Sequence, residues 1–308
     1  MKLYVACLLI VSGFTGVFAQ TPKNVESTLE ILDIQTGKRT VVLQEKRHFE
    51  APNWHPTDHY LLINSNGLLE KVSLTGQQLG IIPTDFANQC NNDHLIAKNG
   101  KWIALSHNDP NAAKSPGGSS RIFTVPIAGG IPQLITPNNP SYLHGISPDG
   151  KTLAYCAMRG NNEWDIYTIA TTGGEEKRLT TAPNLDDGPE YSPDGNYIYF
   201  NSHRTGRMHL YRMKADGTEQ EQLTHDEFDN WFGHPSPDGK WLVYIAYLQD
   251  QQGKHPFGKD VKLRLMNLQT HEIKDLTSVF FGGQGTINVP SWSPDSKQIA
   301  LVSYRLFE

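Results

Sequence analysis

One short phrase is written repeatedly in this chain. Ile146-Ser147-Pro148-Asp149-Gly150-Lys151 returns as Tyr191-Ser192-Pro193-Asp194-Gly195-Asn196, as Pro235-Ser236-Pro237-Asp238-Gly239-Lys240 and as Trp292-Ser293-Pro294-Asp295-Ser296-Lys297. Two looser copies lie upstream, Trp54-His55-Pro56-Thr57-Asp58 and Ile96-Ala97-Lys98-Asn99-Gly100-Lys101. Proline presets φ, and Asp-Gly or Asn-Gly accepts the positive φ of a tight turn, so each copy reads as a turn between strands. An apolar run follows each one, for example residues 152–156 and 197–200. A repeat of this kind outranks any single-segment reading, because each unit can bury its apolar face only against its neighbour.

The period selects the architecture. With His55, Ala97, Ser147, Ser192, Ser236 and Ser293 as equivalent positions, the intervals are 42, 50, 45, 44 and 57 residues. Apolar residues alternate with period two, which argues strands rather than paired helices. Strand-and-turn repeats in the forties predict four-stranded propeller blades. The third blade is the clearest, with strands at 152–158, 164–170 and 177–180 after its turn, and the fourth repeats it. After the sixth turn the remaining residues suffice for one strand at 298–304. Residues 29–34 and 39–43, around the turn Gln35-Thr36-Gly37-Lys38, supply the next two from the other end. The expectation is therefore an all-β, six-bladed β-propeller of four-stranded antiparallel blades, the last blade closed by N-terminal strands. Such a closure leaves no open sheet edge around the ring.

Composition narrows the setting. The net charge of −5 and the lack of a basic stripe argue against a nucleic-acid partner. No stretch after the first twenty residues has the length of a membrane span. Those first residues read as a secretory signal peptide at 1–19: Lys2, an apolar run over 3–11, and Val17-Phe18-Ala19 before Gln20. An uncleaved anchor is the competing reading, and the shortness of the apolar run argues against it. The propeller would then occupy 20–308 and work in a periplasm or outside the cell. Cys90 and Cys156 remain after cleavage and fall in different blades, so no bridge between them is expected.

The phrase Ser-Pro-Asp-Gly-Lys before an apolar strand resembles the repeats of the TolB-type, WD-like propeller family. So do Asn201-Ser202-His203-Arg204-Thr205-Gly206 ahead of Leu210-Tyr211, and Gly-Thr or Gly-Gly ahead of Leu-Thr. The resemblance spans essentially all of 20–308. It implies a six-bladed propeller exported to the envelope. The Tol-system protein also carries an N-terminal α/β domain, for which residues 20–29 leave no room, so the propeller alone is expected. Prolyl-oligopeptidase-like peptidases share similar repeats but need a hydrolase domain with a G-x-S-x-G elbow, and the sequence has none. Oligogalacturonate lyases are a third similar group, with Gly233-His234-Pro235-Ser236-Pro237-Asp238 in the style of their repeat starts.

Residues just before each turn copy should open the inner strand and rim the central channel. They include His94, His144 and His234, with Glu50, Asn92, Asp93, Asp187, Glu190, Asn230 and Asn288. His107 and His203 belong to loops on the same rim, where long Gly/Ser/Pro-rich segments at 107–120 and 249–259 offer binding surface. Histidine suits both metal ligation and acid–base work near neutrality, so convergence of His94, His144 and His234 would suit a divalent metal; ordinary strand-start hydrogen bonding is the alternative. Trp231 and Phe232 are candidates to stack on a sugar or peptide. Arg159 and Arg204 could pair with a ligand carboxylate or form surface salt bridges. The primary expectation is a non-catalytic module, without a cofactor, that binds an envelope protein or glycan through its upper rim and channel. The alternative is a metal-assisted polysaccharide lyase of the oligogalacturonate type, with the metal neutralising a uronate carboxylate.

Overall fold

The computed structural model describes residues 24–160 and 163–307, and the leader at 1–19 lies outside them. The described residues form six antiparallel sheets arranged as the blades of a propeller. Strands β1 (Val25–Asp33) and β2 (Arg39–Glu45) come first and belong to the last blade. Blade one is β3 (Glu50–Trp54), β4 (Tyr60–Ser65), β5 (Leu68–Ser73) and β6 (Gln78–Ile81). Blade two is β7 (Cys90–Ile96), β8 (Trp102–Asn108), β9 (Ser120–Pro126) and β10 (Gln133–Leu134). Blade three is β11 (Ser141–Ile146), β12 (Thr152–Arg159), β13 (Glu163–Ala170) and β14 (Lys177–Arg178). Blade four is β15 (Asp186–Tyr191), β16 (Tyr197–Ser202), β17 (His209–Lys214) and β18 (Glu221–Gln222). Blade five is β19 (Asp229–Pro235), β20 (Trp241–Tyr247), β21 (Phe257–Asn267), β22 (Ile273–Asp275) and β23 (Phe280–Gly283). The last strand, β24 (Gln298–Leu306), completes blade six.

Closure follows the expected route. All of β1 pairs with β24, from Val25 opposite Leu306 to Asp33 opposite Gln298. Val25, Leu29 and Leu32 are buried there, each contributing about 1.5–3 kcal/mol of apolar burial. The core is a ring of six layers rather than one mass. One cluster gathers Leu29 and Val302 of blade six against Leu61 and Ile63 of blade one. Another sets Leu95 and Ala104 of blade two against Leu143, Leu153 and Tyr155 of blade three. Further clusters fill the other four blade junctions in the same way. A blade therefore has no sufficient core of its own, which is why the repeat must close on itself.

The repeated phrase makes a capped turn. Ser147 Oγ donates to Asp149 Oδ1 at 2.7 Å and accepts the Thr152 N–H at 2.9 Å. The Gly150 N–H donates to Ser147 O, and Gly150 sits at φ 71°. In the sixth copy Ser296 takes that conformation at φ 61°. Its hydroxyl accepts the Asp238 N–H of blade five at 3.0 Å, a tie a glycine could not supply.

Two blades depart from four strands. Blade five has a fifth, because β21 begins at Phe257 and its first half pairs with β23. The loop expected over 249–259 is thus already strand from residue 257 onward. Blade six has three named strands. Its inner segment is held by Val302 N–H to Thr286 O, Ala300 N–H to Ser291 O, and one bridge from Trp292 to Ile299. No regular ladder forms there.

Candidate functional site

The inner strands of the five regular blades all slip register at the same level. The shifts fall between Glu50 and Asn53, Cys90 and His94, Leu143 and Gly145, Asp187 and Glu190, and Trp231 and His234. Such bulges re-aim side chains, and here they fall where the inner strands line the ring axis. Ala51 and Phe232 accept positive φ to make them, 55° and 52°. The fifth residue of each second strand holds the bulge of the next blade. Asn64 Nδ2 donates to Cys90 O at 3.0 Å, and Ser106 Oγ accepts the Leu143 N–H at 2.8 Å. Cys156 Sγ donates to Asp186 O at 3.3 Å, and Asn201 Oδ1 accepts the Phe232 N–H at 2.9 Å. At the same position Ile245 and Val302 stand in the last two blades, where the next inner segment is irregular or differently held.

These bulges assemble one electrostatic network from five blades. His144 Nε2 lies 3.1 Å from Asp187 Oδ1, and His255 Nε2 lies 3.8 Å from Asp187 Oδ2. The Gly188 N–H donates to Asp187 at 2.7 Å. Burial opposes ionisation of Asp187, but the charge and hydrogen bond of His144, with His255 and Gly188, hold its carboxyl down at about 2. Burial also opposes the His144 imidazolium, yet Asp93, Asp187 and Glu190 together raise it. Glu50 is pushed up to about 8, by burial first and then by the Asp93 charge. Asp93 rises to about 7 through burial and Asp187, against the pull of His144. Glu190 is raised by burial while its partner His234 opposes the shift. His48 Nε2 stands 3.9 Å from Glu50, and burial lowers that imidazole to about 4. The arrangement sets the His144 imidazole against the Asp187 carboxylate, with burial and mutual repulsion raising the carboxyls of Glu50 and Asp93 nearby.

Comparison with known proteins places this geometry in a lineage. A family profile described as the TolB beta propeller domain matches residues 138–288. The protein Atu1656 of Agrobacterium fabrum, itself described as uncharacterized, is 44% identical over 282 residues, covering 91% of this chain and 93% of that one. The chain belongs to the TolB-like β-propeller family. A solved structure described as a TolB candidate from Agrobacterium tumefaciens superposes on this TolB-like propeller with a TM-score of 0.86 at 43% identity. That match covers 92% of this chain and 99% of the other. TolB from Acinetobacter baumannii shares the fold at a TM-score of 0.53 and 18% identity. Here 88% of this chain is covered and 56% of the other, so the TolB-like chain spans about half of that protein.

The TolB-like scaffold sorts the residues singled out from sequence. His144 stands in the network, and His234 binds its edge through Glu190. His94 turns away, its Nε2 3.2 Å from Leu62 O, and His234 spends its other nitrogen on Ile287 O. Among the described residues no three His, Cys, Asp or Glu are placed to hold one metal ion. The three imidazoles named from sequence are engaged separately: His94 Nε2 and His234 Nε2 on backbone carbonyls, His144 Nε2 on Asp187. His107 packs against Phe86 and Phe123 and accepts the Gln89 N–H. His203 is half-buried at its corner, under Gly253.

The two arginines are structural. Arg159 grips Glu176 at 3.0 and 2.7 Å and also reaches Pro140 O and Ser141 Oγ. Arg204 pairs with the buried Asp186 at 3.1 Å and lies over the Tyr211 ring. Trp231 is fully buried in the layer between blades five and six, so it is not a stacking platform. Its ring and that of Phe232 hold His255 edge-on at 4.4 and 5.1 Å, and Phe232 stacks on His144. Sequence reasoning missed His255, its partner Gln284, and His48. The signal for His255 was its place in the long loop after β20. Cys90 and Cys156 are buried free thiols.

Proposed function

We propose that this TolB-like propeller is a non-catalytic binding module that works outside the cytoplasm on an envelope protein or glycan. The observation that carries the reading is the mouth itself. Glu50, Asp93, Asp187 and Glu190 from three blades meet there under the long loops at 109–119 and 249–256. A preformed ring with a few convergent polar groups is a typical ligand seat. The ionised Asp187 carboxylate favours a basic or neutral ligand over a polyuronate, whose own negative charges it would repel. That argues against the lyase alternative, as does the engagement of His94 and His234 nitrogens by carbonyls.

The test uses the mature chain, immobilised and challenged with envelope extract and a glycan array. A variant with both loops shortened runs in parallel. Capture of a defined protein or glycan by the intact chain, lost with the loops, is the expected result. Retention of nothing, together with turnover of any polysaccharide, would overturn the reading.

A further inference from the structure

We propose that the outer wall of blades one and two is an interface on which a second copy of this chain docks. Eight large apolar side chains stand exposed among the described residues, and five of them lie here: Leu79 and Ile81 on β6, Phe86 beyond it, Ile131 before β10 and Leu134 on it. The segments adjoin. The Gly130 N–H donates to Pro83 O at 2.9 Å, and the Phe86 ring meets that of Phe123, directly opposite Leu134, at 5.6 Å. Residues 122–148 carry no Lys, Arg, Asp or Glu, and residues 72–92 carry one, Asp85. The outermost strands of blades three, four and five are charged instead, with Lys177 and Arg178, Glu221, and Lys274 and Asp275. Single apolar residues are ordinary on a surface, whereas a cluster of them on ground without charge marks a contact.

The wall itself selects the occupant. Its edge does not suit an added peptide strand: β6 slips register against β5 between Lys71 and Val72, which puts Leu79 out of the ladder, and Gly80 stands at φ 104°. A bulged edge is a poor template for backbone pairing, so a folded surface covers it rather than an extended peptide. These stretches offer no lysine or arginine to lipid head groups, which argues against a membrane. The chain carries a net charge of −5, so two copies repel each other except where both are neutral, and this wall is such a place. Its exposed polar groups include the amides of Gln77, Gln78, Gln89 and Gln133. An amide both donates and accepts, so these groups can pair with their own kind across a twofold axis. Toward blade six the wall ends at Glu70, which lies opposite Ile81 and pairs with Arg47. A charged border round an apolar centre is ordinary interface anatomy.

Sedimentation velocity of the mature chain over about 1 to 100 μM reaches the weak end of interfaces of this kind. A monomer–dimer equilibrium is expected, and amide hydrogen exchange over residues 77–89 and 128–134 should slow as the dimer forms. Ile131→Glu and Leu134→Lys should each weaken association at least about thirtyfold, the size of one interface hot spot. Ile131 is 75% exposed, so its replacement leaves the fold intact, which an unchanged Tm verifies. Val279→Glu, at an exposed position beside β23, should keep the dimer. A chain that stays monomeric throughout would overturn the proposal. So would a dimer that both wall variants keep, or one whose exchange protection lies elsewhere. Binding of the intact monomer to phosphatidylcholine vesicles, lost in Ile131→Glu, would give the wall to a lipid surface and overturn it too.

Discussion

Replacing Glu50 by Gln should make the protein more stable at alkaline pH, not less. Glu50 sits on β3 beside Asp93, and its carboxyl is raised from 4.5 to about 8. A raised carboxyl takes up protons on folding. The stabilisation is therefore complete below about pH 4.5 and is lost as pH climbs through about 8. At about 1.4 kcal/mol per pH unit, that interval is worth on the order of 5 kcal/mol. Glutamine keeps the shape and hydrogen-bonding capacity but does not titrate. Urea midpoints for both proteins at pH 5, 7 and 9 give the comparison. The two should lie close together at pH 5, and the variant should lead by several kcal/mol at pH 9. Because the Asp93 charge is the second cause of the shift, Asp93→Asn should flatten the slope of the parent protein. A stability difference independent of pH would refute the burial argument.

Two further outcomes follow from the same geometry. Asp187→Asn removes a carboxylate held at about 2. Its stabilisation is present above the usual carboxylate value of 3.8 and lost as pH falls toward 2, so the variant should be about 2 kcal/mol weaker at pH 7. The gap should shrink to under about 1 kcal/mol by pH 2.5 in denaturant titrations, and the His144 imidazole should titrate lower by NMR. Leu29→Ala empties a fully buried position in the closing strand. It should cost about 2–5 kcal/mol, read as a fall in Tm. An unchanged Tm would mean that β1 does not close the ring.

Much of the ring was legible before any coordinates. Four copies of Ser-Pro-Asp, at 147, 192, 236 and 293, fix the turns because proline and the following turn residue restrict the backbone locally. The strands at 29–34 and 39–43 are legible because a six-unit count leaves one blade unfinished. The site was legible only as a list of residues. His144, Asp187, Glu190 and Glu50 were on it and do converge, while His94, Trp231 and Arg204 were on it and turn into the scaffold. His255 was missed, since no period places it.

The physical reason is parity. In a regular strand alternation tells which side chain faces the axis, so sequence determines the fold class, the blade count and the closure. One inserted residue reverses that alternation. The shift between Trp231 and His234 leaves Trp231 in the core and Phe232 against His144. Whether an inner strand bulges depends on the neighbouring blade, through Asn64, Ser106, Cys156 and Asn201. That is a contact between distant residues, so only the tertiary structure decided which acids and imidazoles meet.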